Sequence, residues 1–584
     1  MPDPKPPEII QAEEFIAKGK KEEAVEVIRK FQQSAWPFFF RQEFDKSLEI
    51  GLLSKELIEK IGEEIDFARN YLLLGWNYSS KGDIKTSLDY GLKCIELFEK
   101  LNIQVSLASS YYLVATAHRA NLDFNLAIKY FNRALSIKEI LPIEKVVILH
   151  NLGHMYAIKG ELYQSLEYFK NGVKAAEEAN APGWHVACMS YVGAVYSYMT
   201  EYDKAEKHLN KAIDLAENYK IEIVKGLPLF IFISMYYQSK TPELAQEYFK
   251  HLKQLDEKYE NSNVFPALRK QYLLAKGLIL KESDRKEDHI EAEKLIKEVI
   301  KEEVPLIGLE LYAMYYMCDL LIKKLEDSND LQVINEIYPV ISKLLNIAEK
   351  TQSNMLLCEV KVFQAKIEII QKNFEEGKLL LTQAQQVAEI NNVIFLAQEI
   401  SNDHDRLLQQ QEKWEQLSKA NAPIAERIRL ASFDGILERI QGKRSEKTPE
   451  IVPEKPMFLL IITESGIPLL SYSFSKELSF EDDIISSFIS AFNTFSGELF
   501  SKGLDRARFG DYIILIESVD SYSICYLFKG QSYPAKQKLT AFLEEIQNNP
   551  TIWKTLENFH KTSQVAEIQD VPQIENLIKD IFII

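Results

Sequence analysis

The side chains best spaced for chemistry are His150 and His154. Four residues apart, they share one face of a helix, from which two imidazoles can grip a metal ion. No Asp, Glu, Cys or third His stands near them at ligand spacing, so the pair reads as ordinary helix-face polarity. Paired carboxylates such as Glu63-Glu64 and Asp482-Asp483 suit helix starts and surface charge better than acid–base work. The cysteines (Cys94, Cys188, Cys318, Cys358 and Cys525) are scattered without a CxxC pair, as isolated thiols of a reducing compartment would be. Phosphate-binding glycine loops, the nucleophile elbow and the zinc-protease helix motif are all missing from the sequence. The expectation is a chain with no catalytic residues, no cofactor and no metal, and not an enzyme.

Composition narrows the class further. The chain has 584 residues, enough for several cores, with 46% apolar and 27% charged residues, close to ordinary folded proteins. A net charge of −17, from 69 Lys+Arg against 86 Asp+Glu, argues against general nucleic-acid or anionic-membrane binding. Glycine is scarce, at 22 residues, which predicts few tight turns. The start carries no basic segment leading into an apolar run, and no stretch is long enough for a membrane helix, so the expected setting is cytoplasmic. The mixed charges over Lys281–Lys297 read as a solvated helix face.

These residues must be positioned by repeated elements. Leu74-Gly75-Trp76-Asn77-Tyr78, Leu152-Gly153-His154-Met155-Tyr156 and Val192-Gly193-Ala194-Val195-Tyr196 share one pattern. Small residues recur at Ser47, Ser87, Ala127, Ser165, Ala205 and Ala245, separated by 40, 40, 38, 40 and 40. A second series, Cys94, Ala134, Gly172 and Ala212, keeps the same period. Each unit reads as a helix, a turn near Gly82-Asp83 or Gly160-Glu161, and a returning helix. Gly75, Ala115, Gly153 and Gly193 fall where helices cross closely, while Tyr78, Tyr156, Tyr196, Phe131 and Phe169 fill the space between units. One pair cannot bury its own apolar face, so pairs stack into a superhelix with a concave side.

The pattern resembles the tetratricopeptide repeat, most clearly over Ala68–Tyr219, with a partial unit near Ala24 and looser ones up to Ala384. The period near 40 is similar to that of kinesin light chains and LGN-type adaptors, which are peptide-binding scaffolds. The resemblance implies a concave face lined by Trp76, Tyr112, Thr116, Arg119, His150, Asn151, His154, Ser190, Tyr191, Tyr198, Ser234 and Tyr237. Asn151 matches the residue that long-repeat relatives use on a ligand's backbone. With one firm cation, this lining does not match the family's clamp for acidic tails.

Past the repeats, residues 401–442 read as a helical connector and 443–456 as an exposed linker. The connector holds an apolar stripe of Ile424, Ile428, Phe433, Leu437 and Ile440 behind the cap Asn421-Ala422-Pro423. Strands are expected at Phe458–Thr463, Leu469–Phe474, Leu504–Phe509, Tyr512–Glu517 and Tyr522–Phe528. A helix from Ser479 carries Phe488, Phe492 and Phe495, and helices at Pro534–Gln547, Ile552–His560 and Ile574–Ile583 follow. That order resembles the longin domain and the roadblock-like profilin-fold modules, and the chain as a whole resembles multi-repeat archaeal proteins with such a tail. The resemblance implies docking of a partner, a small Ras-like GTPase among the candidates.

The sequence thus predicts a mostly α protein. A TPR-like α-solenoid over 1–400 precedes a small longin-like α/β domain over 457–584. Its expected function is that of a scaffold or adaptor, with a partner peptide or helix in the groove and a second protein on the tail. The alternatives are a peptide-sensing regulator with the tail as output, an exchange-factor-like subunit, and a purely structural stack.

Overall fold

The structure, a computed structural model, describes residues 5–238, 241–259, 266–283, 285–300, 307–391, 393–410, 423–430, 453–463, 468–474, 506–562, 566 and 568–583. By compactness the chain divides into two units, residues 1–320 with 343–353, and residues 321–342 with 354–584. The expected helix after Ser479 with Phe488, Phe492 and Phe495, the 464–467 turn, Phe433, Leu437 and Ile440, and the linker up to 452 lie outside the described residues.

The first unit is a stack of helices. They are α1 (Pro7–Ala17), α2 (Lys21–Gln33), α3 (Ala35–Phe40), α4 (Phe44–Ile61), α5 (Glu64–Ser80), α6 (Ile84–Lys100), α7 (Gln104–Ala120) and α8 (Phe124–Leu135). Next come α9 (Pro142–Lys159), α10 (Leu162–Glu178), α11 (Pro182–Tyr198), α12 (Tyr202–Asn218), α13 (Gly226–Gln238), α14 (Pro242–Tyr259), α15 (Pro266–Lys281) and α16 (Lys286–Ile300). The division between units falls within α17 (Ile307–Ser328) and α18 (Ile334–Thr351). Consecutive helices pack as pairs, α5 on α6, α7 on α8, α9 on α10, α11 on α12 and α13 on α14.

The repeated small residues explain this pairing. Ser47, Ser87, Ala127, Ser165, Ala205 and Ala245 are all 0% exposed, so each marks the same close crossing. A Cβ at Gly75 would lie 2.5 Å from Leu113 Cδ2, and one at Gly193 would lie 2.7 Å from Leu209 Cγ. At Gly153 it would strike the Phe169 ring, at 2.8 Å from Cδ1. No larger side chain fits without driving the helices apart.

The turns correct one expectation. Scarce glycine was to mean few tight turns, yet left-handed residues end helix after helix: Gly82, Asn102, Leu122, Gly160, Asn180, Thr200 and Lys220. The residue after each left-handed one donates back into the last helical turn, as Asp83 N–H does to Tyr78 C=O (3.0 Å) and Ala181 N–H to Ala176 C=O (2.9 Å). The Schellman-type closure satisfies the helix end. Side chains that disfavour positive φ bear its strain.

In the second unit, α19 (Asn354–Ile370), α20 (Phe374–Ile390), α21 (Ile394–Gln409) and α22 (Ile424–Leu430) precede five strands. These are β1 (Lys455–Thr463), β2 (Pro468–Ser473), β3 (Arg506–Phe509), β4 (Tyr512–Val519) and β5 (Tyr522–Lys529). The sheet has the order β2-β1-β5-β4-β3 with antiparallel pairing throughout. The expected linker is shorter than read, because Lys455 and Pro456 already pair in β1.

Leu459, Ile461, Tyr526 and Phe528 face a core shared with α23 (Ser532–Asn548), α24 (Pro550–Thr562) and α25 (Pro572–Phe582). Phe458, Leu460, Ile462, Ile516 and Cys525 form a second buried cluster on the opposite face. Burial on both faces is why β1 is a continuous apolar run rather than an alternating one. The outer edge of β2 is partly occupied, since Ala566 N–H donates to Leu469 C=O (2.7 Å).

The sheet is tied to the preceding helices by a buried polar joint. Arg506 of β3, 1% exposed, donates to Ser401 Oγ (3.1 Å) and Asp405 Oδ1 (3.4 Å) of α21 and to Gln385 of α20. Asp405 in turn accepts the Ser532 backbone N–H (2.8 Å) and the Ser532 hydroxyl. Burial raises the Asp405 pKa, with Arg506 and Ser532 opposing that rise.

Candidate functional site

The first helix of each pair brings the groove residues together. α5 contributes Trp76; α7 contributes Tyr112, Thr116 and Arg119; α9 contributes His150, Asn151 and His154. Trp76 and Tyr112 touch across α5 and α7 with ring centroids 4.9 Å apart. His150 and His154 are 4.7 Å apart, ring to ring, inside a box of Phe169, Trp184 and Tyr191. Trp184 was not anticipated. It sits in the first turn of α11, behind Pro182-Gly183, where no repeat position marks it.

This part of the face holds buried polar atoms that no group among the described residues satisfies. Thr116 Oγ1, Arg119 Nε and His150 Nδ1 are removed from solvent without a hydrogen-bond partner. Buried polar atoms in native proteins are overwhelmingly paired, so three orphans on neighbouring helices require an explanation. Burial lowers the pKa of Arg119, opposed by Tyr112. It raises the Tyr112 phenol to about 12, with Arg119 pulling the other way. Burial first and the Arg119 charge second hold His154 down at about 3. His150 is also held well below its ordinary value, by burial, His154 and Arg119. Both imidazoles are therefore neutral near pH 7. Among the described residues no group of three or more metal-ligating side chains forms.

Farther along, the chain covers the face itself. The first part of α17 lies against α9, α11 and α13. A Cβ at Gly308 would stand 3.9 Å from the His154 ring, and Leu311 packs on the α7–α9 core. Tyr312 stacks on Tyr198 at 6.1 Å and meets Phe230 edge-on at 5.9 Å. The Tyr316 and Ser234 hydroxyls are 3.4 Å apart.

The remaining expected residues are committed inward as well. Ser190 is fully buried and donates to the Val186 carbonyl of its own helix (2.7 Å), and Tyr237 is buried and accepts from Gln246 (3.4 Å). The charge run starting at Lys281 also needs correcting, because Lys281 is 0% exposed. It lies between Asp319 and Glu282 (2.7 Å), 5.8 Å from the Tyr316 ring centroid, while Lys286, Glu287 and Lys297 are exposed as expected.

At the other end, Arg29, Gln32, Gln33, Trp36, Arg69 and Leu72 line a cleft between α2, α3 and α5. Arg29 is already paired there with Asp66 (2.6 Å) and Glu63 (3.3 Å).

Fold and site together define a helical-repeat protein with a partly self-covered inner face and a small sheet module. Residues 108–140 and 144–218 match family models described as tetratricopeptide repeat, so this part of the chain carries such repeats. No curated protein matches the chain. Solved structures with a similar stack include a Rap protein complexed with competence and sporulation factor. It is 13% identical, covering 70% of this chain and 98% of that one, with a TM-score of 0.38. The apo form of the quorum sensor NprR from B. thuringiensis is 14% identical, covering 54% of this chain and 86% of that one, at 0.35. Aspartyl phosphate phosphatase F from Bacillus subtilis is 16% identical over 62% and 93%, also at 0.35. Likeness this distant carries no argument about function.

Proposed function

We propose that the chain is a non-catalytic scaffold whose concave face receives an extended segment of another protein. The observation that carries this reading is the set of orphan polar atoms at Thr116, Arg119 and His150 beside the aromatic surface of Trp76, Tyr112 and Trp184. A peptide backbone supplies the missing partners, and rings supply the apolar contact. Asn151 of α9, without a side-chain hydrogen bond among the described residues, would pair with a backbone amide of that segment. The test is selection of displayed peptides on the full chain. Asn151→Ala should weaken the selected peptides about tenfold, the order of one lost hydrogen bond, while leaving the fold intact. Peptides that bind Asn151→Ala and Trp76→Ala as well as the parent protein would refute it.

The sheet module is assigned a second docking role on its longin-like resemblance. No helix among the described residues is long and apolar enough to cross a membrane. A small GTPase is the partner that resemblance suggests, and a nucleotide-release assay tests it.

A regulatory reading is favoured by one observation, the cover that α17 lays over Tyr198 and Ser234. A ligand that needs Ser234, which is buried, has to displace α17. Amide exchange in α17 should then rise on binding, and unchanged exchange at saturating peptide contradicts this reading.

A further inference from the structure

The cleft between α2, α3 and α5 shares no residue with the face proposed above for a peptide. Its volume is about 290 Å³, close to the lower end of the roughly 300–1,000 Å³ typical of small-molecule sites. That is room for one ring system rather than a length of chain. Gln32, only 4% exposed, lines the cleft, and its Nε2 is buried without a hydrogen-bond partner among the described residues. Buried amide nitrogens are normally paired, so this one calls for an acceptor from outside the chain. The Trp36 indole supplies an aromatic wall, backed by Phe40 (6.0 Å, planes 29° apart) and by Phe39 edge-on (5.7 Å).

We propose that this cleft binds the base of a free nucleoside or nucleotide. The lining holds two guanidinium groups, two glutamine amides and no carboxylate, so its polar groups mostly donate. A nucleobase combines what such a cleft needs, a flat face to stack on an indole and acceptor atoms on the edge of the same ring. A phenylalanine ring from a peptide would stack as well but would leave Gln32 Nε2 unpaired. Arg29 offers a planar group rather than net charge, since Asp66 (2.6 Å) and Glu63 (3.3 Å) already neutralise it. Arg69 is exposed and makes no ion pair among the described residues, so it is the group that would meet a phosphate. The net charge of −17 argues for a free nucleotide over a nucleic-acid strand.

Saturation-transfer NMR on the full chain tests this, with adenosine, guanosine, cytidine, uridine and their monophosphates as probes. At least one nucleoside should receive saturation on its base protons, and its monophosphate should bind more tightly. Trp36→Ala should weaken both by about fivefold to a hundredfold, the range for one base stacked on an aromatic ring. Gln32→Leu should weaken both by roughly fivefold, the order of one hydrogen bond. It should not lower the thermal midpoint, because it removes a buried donor that has no partner. Arg69→Ala should bring the monophosphate down to the affinity of its nucleoside and leave the nucleoside unchanged.

No saturation of any base with ligand in the millimolar range would overturn the proposal. Inorganic phosphate that displaces the nucleotide as well as the nucleoside does would overturn it too. So would N-acetylphenylalanine amide competing as well as the nucleoside, or affinities unchanged in Trp36→Ala and Gln32→Leu. A single-stranded oligonucleotide that binds more tightly per base than the monophosphate would overturn the free nucleotide as the ligand. If Trp36→Ala does not fold, Gln32→Leu and Arg69→Ala carry the same comparisons. None of these outcomes bears on the peptide face, which is tested through Trp76→Ala and Asn151→Ala.

Discussion

Tyr312 of α17 stacks on Tyr198 of α11 with ring centroids 6.1 Å apart and planes 26° from parallel. This contact joins residues remote in sequence and closes part of the concave face. Tyr312→Ala should cost about 2–4 kcal/mol, from lost ring burial and lost ring contacts. Urea unfolding measures the loss. Since the change also removes the ring stacked on Tyr198, a ligand that competes with α17 should bind this variant more tightly.

The buried imidazoles make stability depend on acidity. His154 titrates near 3 in the fold and at an ordinary 6.5 when unfolded, so the unfolded chain takes up the proton first. Its contribution is intact above about pH 6.5 and declines as pH falls toward 3. At pH 5 the loss is about 2 kcal/mol relative to pH 7. His150 acts in the same direction. The His154→Gln protein should show a flatter stability profile between pH 7 and 5, read by urea midpoints.

Gly153 and Asn151 stand two residues apart and should fail differently. Gly153→Leu drives a side chain into the Phe169 ring and should cost at least about 1–3 kcal/mol by overpacking. Asn151→Ala should leave the unfolding midpoint within about 0.5 kcal/mol of wild type. Equal destabilisation by both would make Asn151 a structural residue.

Thr200 is exposed, β-branched and left-handed, with φ at 60°. Thr200→Gly should stabilise the protein by roughly 0.5–1 kcal/mol, the difference between left-handed strain and glycine's extra unfolded freedom. A thermal scan checks the sign.

Arg506 holds the sheet to α20 and α21 through Gln385, Ser401 and Asp405. Arg506→Ala should cost about 3–5 kcal/mol because Asp405 is left buried and unpaired. Asp405→Asn in the same background should recover part of that loss, measured by denaturant unfolding.

Much of the fold was legible because close packing leaves a periodic mark. Ser87, Ala127 and Ser165 tolerate only small side chains, and a period of 40 follows from equal helix lengths. The strands showed as apolar runs because both faces of β1 are buried. The cover over the groove was not legible from spacing, since α17 meets α11 and α13 across a long stretch of chain. Its signal was compositional: α13 and the first part of α17 are apolar nearly all round, as helices packed on several sides must be. Leu122 and Thr200 hid the left-handed turns, because neither residue type favours positive φ. That Arg119 Nε is buried without a partner among the described residues was likewise beyond sequence, which shows a cation but not its surroundings.

The most direct test of the central claim is the affinity of peptides selected on the full chain, measured on wild type and on Trp76→Ala, Asn151→Ala and Arg119→Met. Each substitution should weaken binding by about tenfold or more while the unfolding midpoints show the protein folded. Affinities unchanged in all three folded variants would contradict it.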